Sequence, residues 1–344
     1  MTTETGGAGD PRPGSAAHSA PELPVGLVSA DPLDPLSAAA VVRLRLDAQL
    51  AAWRDARADH LAGGVDGVHD ARVAARRLRS ALRTFRRVVP WTPGPDLDTL
   101  IGELREFGRA LGGARDAEVI LDRIGGALGF DAALANGAAA SAADAPGSPD
   151  IAVLRGVGAL ALQSAEAGSG PDPERTDALD AALQRIVAAT AFPEAGLRPA
   201  GEVLPPLVDA EWRRVRRRYR RACEAAGPRQ DELLHEVRKS TKALRYAAET
   251  CLPFMGERAR PLLRAATDVQ QTLGDHQDAV VTLGVLEELA AGLGQDHHAH
   301  SVRHEAAVVQ QLVRRERRAV RHARAAVPEL MVALTDPRAR RWLR

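Results

Sequence analysis

Apolar residues recur at i, i+3, i+4 and i+7 over long windows of this chain, punctuated by Gly and Pro, which is the period of amphipathic α-helices. The pattern predicts helices over residues 37–61, 67–89, 96–128 and 177–191, then over 204–226, 230–252, 257–293 and 300–327. Residues 1–35 are rich in Gly, Pro, Ser and Ala and carry too little apolar surface to offset the entropy of ordering, so a disordered tail is expected there. A low-complexity stretch over 132–173, broken by one short apolar segment, divides the rest near its middle. The expected organisation is one all-α domain over 36–327. A first repeat would span about 36–191 with the 132–173 insert, a second about 203–327, and residues 328–344 would form a basic C-terminal tail.

Composition narrows the fold class further. The chain has 344 residues, 45% of them hydrophobic but only 3% aromatic, so Ala, Leu and Val must fill the core. That favours helices packed through small and aliphatic side chains over β-sandwiches or barrels. No stretch approaches the roughly 18–20 uncharged apolar residues of a membrane span, and no basic-then-apolar leader pattern is present. A cytoplasmic protein without a membrane partner is expected. Cys223 and Cys251 both sit among helix formers, which predicts two buried thiols and no disulfide framework or cysteine zinc site.

The formal net charge of +1 conceals an uneven distribution. Residues 69–87 carry seven Arg against one acid; residues 205–260 carry fourteen basic residues against eight acidic; residues 300–344 carry eleven against four. Three cationic segments, whose charge the acidic remainder of the chain cancels, point to an anionic partner.

Two of these segments repeat one another. His69-Asp-Ala-Arg72-Val-Ala-Ala-Arg76-Arg77-Leu78-Arg79 aligns without gaps to His235-Glu-Val-Arg238-Lys239-Ser-Thr-Lys242-Ala-Leu244-Arg245, sharing H-[DE]-x-R-x-x-x-[RK]-x-L-R. Downstream of each, Leu111-Gly-Gly-Ala-Arg-Asp116 aligns to Leu273-Gly-Asp-His-Gln-Asp278, in the same order and at nearly the same offset. This predicts a tandem duplication of a roughly four-helix unit, with pseudo-two-fold symmetry bringing the two motif helices together around a basic groove.

The motif itself suggests chemistry. Positions 69, 72, 76, 79, 83 and 86 fall within about 100° of arc on one helix, opposite Ala71, Ala74, Leu78, Ala81, Leu82, Phe85 and Val89. His235, Arg238, Lys242 and Arg245 form the equivalent stripe, opposite Val237, Leu244, Ala247, Ala248 and Cys251. Cations stacked along one face repel, and no acidic stripe accompanies them, so an anion with repeated charges is wanted there. Arg supplies forked donors that match phosphate oxygens, and His at the head of each row adds a pH-sensitive donor.

The doubled motif, each copy followed by L-G-x-x-x-D, resembles the CHAD family of conserved-histidine α-helical domains, over about residues 35–327. The resemblance implies a duplicated helical bundle whose basic groove binds inorganic polyphosphate, often at intracellular polyphosphate granules, without catalysis and without a cofactor. Carried across position by position, its binding residues fall on His69, Arg72, Arg76, Arg77, Arg79 and Arg83, and on His235, Arg238, Lys239, Lys242 and Arg245. Val73 stands where the second copy has Lys239, and Ala243 where the first has Arg77, so the two stripes are unequal. Two further Arg-rich helices extend the candidates to Arg213, Arg217, Arg314 and Arg321.

No E-x-E-x-K strand, G-x-x-x-x-G-K-[ST] loop or G-x-S-x-G elbow occurs, so an enzyme is not expected. One alternative is a nucleic-acid-binding helical protein, because a cationic groove reads phosphate charge of any origin; the stripes hold almost no aromatic residue for base stacking, Tyr246 excepted. Another is metal binding by His297, His298, His300 and His304, of which His300 and His304 have i, i+4 spacing.

Overall fold

The structure is a computed structural model that describes residues 27–30, 33–62, 66–90, 92, 94–130, 149–165, 171–293 and 300–344. Eleven α-helices follow one another among these residues: α1 (Ala38–Leu61), α2 (Gly67–Thr84), α3 (Leu97–Ala110), α4 (Gly112–Leu128), α5 (Pro149–Ala165), α6 (Pro173–Ala188), α7 (Glu194–Leu197), α8 (Ala200–Cys223), α9 (Gly227–Met255), α10 (Arg260–Leu293) and α11 (His300–Thr335). Two short strands, β1 (Leu27–Ser29) and β2 (Ala191–Pro193), pair antiparallel with Val28 opposite Phe192. The all-α expectation holds.

Local chemistry sets several helix ends. Ser37 caps α1 by accepting the Ala40 N–H at 3.2 Å, Asp96 caps α3 by accepting the Thr99 N–H at 2.7 Å, and Asp172 caps α6 ahead of a proline at its start. The helix expected over 96–128 is two helices, because Leu111 leaves helical geometry (φ −88°, ψ 4°) ahead of the poor helix formers Gly112 and Gly113. Gly129, at φ 85°, ends α4 in a left-handed turn that other residues rarely adopt. The helix expected over 67–89 stops at Thr84, and Pro90 keeps Val89 out of helical geometry.

Three expectations about the chain's organisation are corrected or qualified. Most of the 1–35 tail lies outside the described residues, but its end forms β1, and Phe192 opposite it is buried with Leu33 and Ala39. Within 132–173, residues 149–165 form α5; this segment is apolar almost all round, so it shows no polar stripe by which periodicity could find it. The C-terminal segment is no tail. Helix α11 runs past Pro328 to Thr335, Trp342 and Leu343 are buried, and the Arg340 guanidinium lies 4.1 Å from the Trp212 ring centre. Cys251 is buried and its thiol pushed well up by burial, whereas Cys223 is exposed, against the expectation for both.

The core does not divide at the middle of the sequence. The larger cluster joins α1, α2, α3 and α6 to α8, α9, the first half of α10 and the end of α11, with Trp53, Leu82, Phe85, Leu204 and Leu244 fully buried. A second cluster joins α4 and α5 to the end of α10 and the start of α11 through Ile124, Leu154, Val157, Leu286 and Val309. The long helices α10 and α11 run through both. Every residue assigned to the core side of the two motif helices is buried: Ala71, Ala74, Leu78, Ala81, Leu82, Phe85 and Val89 on the first, and Val237, Leu244, Ala247, Ala248 and Cys251 on the second.

Candidate anion-binding groove

Because their core faces are committed to the larger cluster, α2 and α9 meet with their cationic stripes turned toward a common opening. That opening is a groove of about 490 Å³ between α2, α3, α8 and α9. Arg76, Arg79 and Arg83 enter it from α2, Lys239 and Lys242 from α9, Arg218 from α8 and Arg105 from α3. Against these seven cations stand two carboxylates, Asp98 and Glu236. Both are engaged: Asp98 pairs with Arg86 at 3.0 Å, and Glu236 with Lys239 and with Arg218 at 3.4 Å.

Tyr246, 5% exposed, is the hinge between the two stripes. Its ring is covered by the guanidinium of Arg77 at 5.5 Å and that of Arg245 at 5.0 Å, each favoured by the ring quadrupole. Behind them Glu249 pairs with Arg45 at 2.8 Å and lies 3.6 Å from Arg245. Arg77 and Arg245 are thereby held in a structural stack, while Arg76, Arg79 and Lys242 face the groove.

The remaining cations crowd one another. Burial and then Arg83, Arg76 and Arg105 lower the Arg79 pKa; burial, Arg214 and Arg218 lower that of Arg83, with Glu211 opposing. Lys242 is pulled down to about 7, by burial first and then by Arg76, Arg238 and Arg245, with Asp278 of α10 as the opposing charge. Burial in turn raises the Asp278 pKa, Asp275 adds to it, and Arg238, Arg123 and Lys242 oppose. The buried Nε of Arg76 makes no hydrogen bond. Arg238 lies over Gly274, where an added Cβ would sit 3.8 Å from the guanidinium.

The sequence-derived residues separate into groups. Arg76, Arg79, Arg83, Lys239 and Lys242 line the groove, and Arg238 and Arg245 border Lys242. Arg77 serves the Tyr246 stack, and neither His69, exposed in the first turn of α2, nor half-buried Arg72 is among the lining residues. His235 is held by Gln277 rather than facing the opening, and burial, with Lys239 and Arg238, lowers its pKa. Arg213, Arg217, Arg314 and Arg321 are all exposed and outside the lining, Arg213 pairing with Asp209 on its own helix. Sequence reasoning missed Arg105 and Arg218; Arg218 sits in the Arg-rich run whose other members were preferred.

His297 and His298 lie outside the described residues, as does the side chain of His300, and His304 is exposed. Among the described residues, no group of three or more His, Cys, Asp or Glu is placed to hold a metal ion. No described helix is long and apolar enough to cross a membrane.

Comparison with known proteins agrees with this architecture. The family model described as the CHAD domain matches residues 44–287. The Mycobacterium tuberculosis proteins MT2285 (strain CDC 1551 / Oshkosh) and Rv2226 (strain ATCC 25618 / H37Rv) are each 33% identical over 274 residues, which cover 77% of this chain and 47% of theirs. The chain thus spans about half the length of these curated relatives. Among solved structures, PptA from Streptomyces chartreusis superposes with a TM-score of 0.60 at 20% identity, covering 86% of this chain and 99% of that one. The CHAD domain from the plant Ricinus communis superposes with a TM-score of 0.58 at 23% identity, covering 87% and 92%. The fold is therefore shared with these structures, and with the doubled motif and the family match over most of its length, the chain belongs to the CHAD domain family.

Proposed function

We propose that this protein binds inorganic polyphosphate in the groove between α2 and α9, without catalysing its conversion, and that it acts at polyphosphate granules. The observation that carries this reading is the convergence of seven cations on one groove whose two carboxylates are already engaged. Rows of Arg at successive helical turns, about 5.4 Å apart, suit a flexible linear anion with a charge on every unit. Phosphoryl transfer needs a positioned nucleophile besides charge neutralisation, and neither Asp98 nor Glu236 is free to orient one. Nucleic acid fits less well, since the one aromatic residue lining the groove, Tyr246, is 5% exposed with the guanidinium groups of Arg77 and Arg245 against its ring, and gives no platform for a base.

A competition among long polyphosphate, single-stranded DNA, RNA and heparin at physiological salt tests this reading. Polyphosphate should win at equal charge. Its affinity should fall at least about tenfold between roughly 50 and 200 mM salt, as four or more phosphates displace counterions on contact. A flat salt response, or preference for DNA, would overturn the proposal.

The pH dependence has a definite sign. In the free protein Lys242 titrates near 7, so above that pH it is largely neutral. A bound polyanion favours its charged form and raises its pKa, so binding takes up a proton and tightens as pH falls from about 9 toward 7, by at most about tenfold per pH unit. Below about pH 6 Lys242 is charged with or without ligand, and its contribution levels off. Calorimetry in buffers of different ionisation enthalpy should show proton uptake near pH 8, and Lys242→Met should abolish it.

A further inference from the structure

The groove that gathers phosphate-binding cations also presents an amine among them. The chain has two lysines, Lys239 and Lys242, and both line this groove. We infer that Lys242 is a self-acylation site, whose amine takes the acyl group of an acyl phosphate held by the groove arginines. The inference rests on the anion-binding reading of the groove and adds a covalent reaction to it.

Geometry separates the two lysines. Lys239 is exposed and paired with Glu236, and the nitrogen of an ion pair holds its proton and offers no lone pair. Lys242, one turn further along α9, is half-buried and makes no hydrogen bond or ion pair among the described residues. The charges that face it are Arg76 from α2, Arg238 and Arg245 from its own helix, and Asp278 from α10. With burial they bring the amine to a pKa of about 7, so that much of it is neutral at physiological pH. An ordinary lysine, titrating near 10.4, is only about 0.1% neutral at pH 7.5. Amines set beside other cations become nucleophiles in this way.

An acyl phosphate joins the two things the groove offers to recognise. Its dianionic phosphate suits Arg76 and Arg79, and its carbonyl carbon is bonded to a phosphate oxygen, so anchoring the phosphate brings that carbon toward the amine between them. The Nζ lone pair attacks the acyl carbon and forms a C–N bond. The C–O bond to phosphate breaks, its electron pair leaves with the phosphate, and the proton lost by the nitrogen goes to that same phosphate. One amide and one hydrogen phosphate result, and one acyl phosphate is consumed per chain. Arginines that already hold the phosphate stabilise the charge it gains on leaving. The amide is uncharged, so the acylated chain should bind polyphosphate about tenfold less tightly.

Incubating the full chain with acetyl phosphate and following acetylation of Lys242 and Lys239 by peptide mass spectrometry tests the inference. Lys242 should react at least about tenfold faster than Lys239, with a rate that saturates in acetyl phosphate. That rate should level off near about pH 8, because the bound dianion lifts the amine somewhat above its free value, whereas an ordinary lysine keeps gaining reactivity to about pH 10. Arg79→Ala should slow the reaction severalfold. It should leave the reaction of Lys242 with phenyl acetate, an acyl donor without phosphate, as it was, since Arg79 is not among the charges that face Lys242. Equal rates at the two lysines, or equal slowing of both donors by Arg79→Ala, overturns the inference. Selective acetylation of Lys242 in a chain that fails to bind polyphosphate would sink the polyphosphate reading and leave this one standing; polyphosphate binding with no preference for Lys242 would do the reverse.

Discussion

Replacing Arg76 and Lys242 together by alanine should weaken polyphosphate binding by about 3–6 kcal/mol, a hundredfold or more, while the melting temperature holds or rises. Each side chain offers a charge-assisted hydrogen bond worth about 1.5–3 kcal/mol. Arg76 arrives unengaged, its buried Nε without a hydrogen bond, so no internal contact has to be broken before phosphate is met. Lys242 sits among Arg76, Arg238 and Arg245 with Asp278 as its opposing charge, so removing cations here relieves repulsion in the free protein. Arg213→Ala with Arg217→Ala, on the exposed face of α8, should change affinity little by comparison. Measured by calorimetry alongside thermal melts, the reverse ranking of the two double variants would show that phosphate binds the outer Arg face instead.

Glu316→Ala should lower stability by about 3 kcal/mol or more, with no polyphosphate contact removed. Glu316 is 1% exposed and bridges α4 and α11, accepting from Arg123 Nε at 2.7 Å and from Arg315 at 2.8 Å. Arg315 can return to water, being half exposed, but Arg123 is largely covered and would lose its hydrogen-bonded partner beside the second core, keeping only the charge of Asp278 nearby. Breaking such a pair from one side typically costs about 3–5 kcal/mol, whereas replacing both partners by apolar residues of similar volume is often neutral. Arg123→Met with Glu316→Leu should therefore recover most of the loss. Denaturant unfolding of the single and double variants checks this, and equal destabilisation of both would show that packing rather than the charge pair holds α4 to α11.

How much of this was legible in the sequence depended on how local each cause is. Most of the longer helices and the buried side of both motif stripes follow from a period that neighbours on one helix impose on each other, and all twelve core assignments on the two motif segments hold. Helix α5 escaped because a helix apolar nearly all round has no amphipathic signal. β1 escaped because its order comes from β2, more than 160 residues away, and not from its own composition. Trp342 and Leu343 were lost in a segment classified by its arginines.

The amino-acid sequence by itself determined an all-α chain with two cationic stripes of matched spacing and the family to which it belongs, because periodicity, capping and motif spacing are properties of residues a few positions apart. Only the tertiary structure decided which cations share a space. It turned Arg77 onto Tyr246 and Arg76 into the groove, although the two are adjacent in sequence, and it drew Arg105 and Arg218 in from other helices. It set His235 against Gln277 and lowered Lys242 to about 7. Those outcomes rest on burial and on charges brought together from distant segments, and a Coulomb interaction between helices has no signature in the spacing along either one.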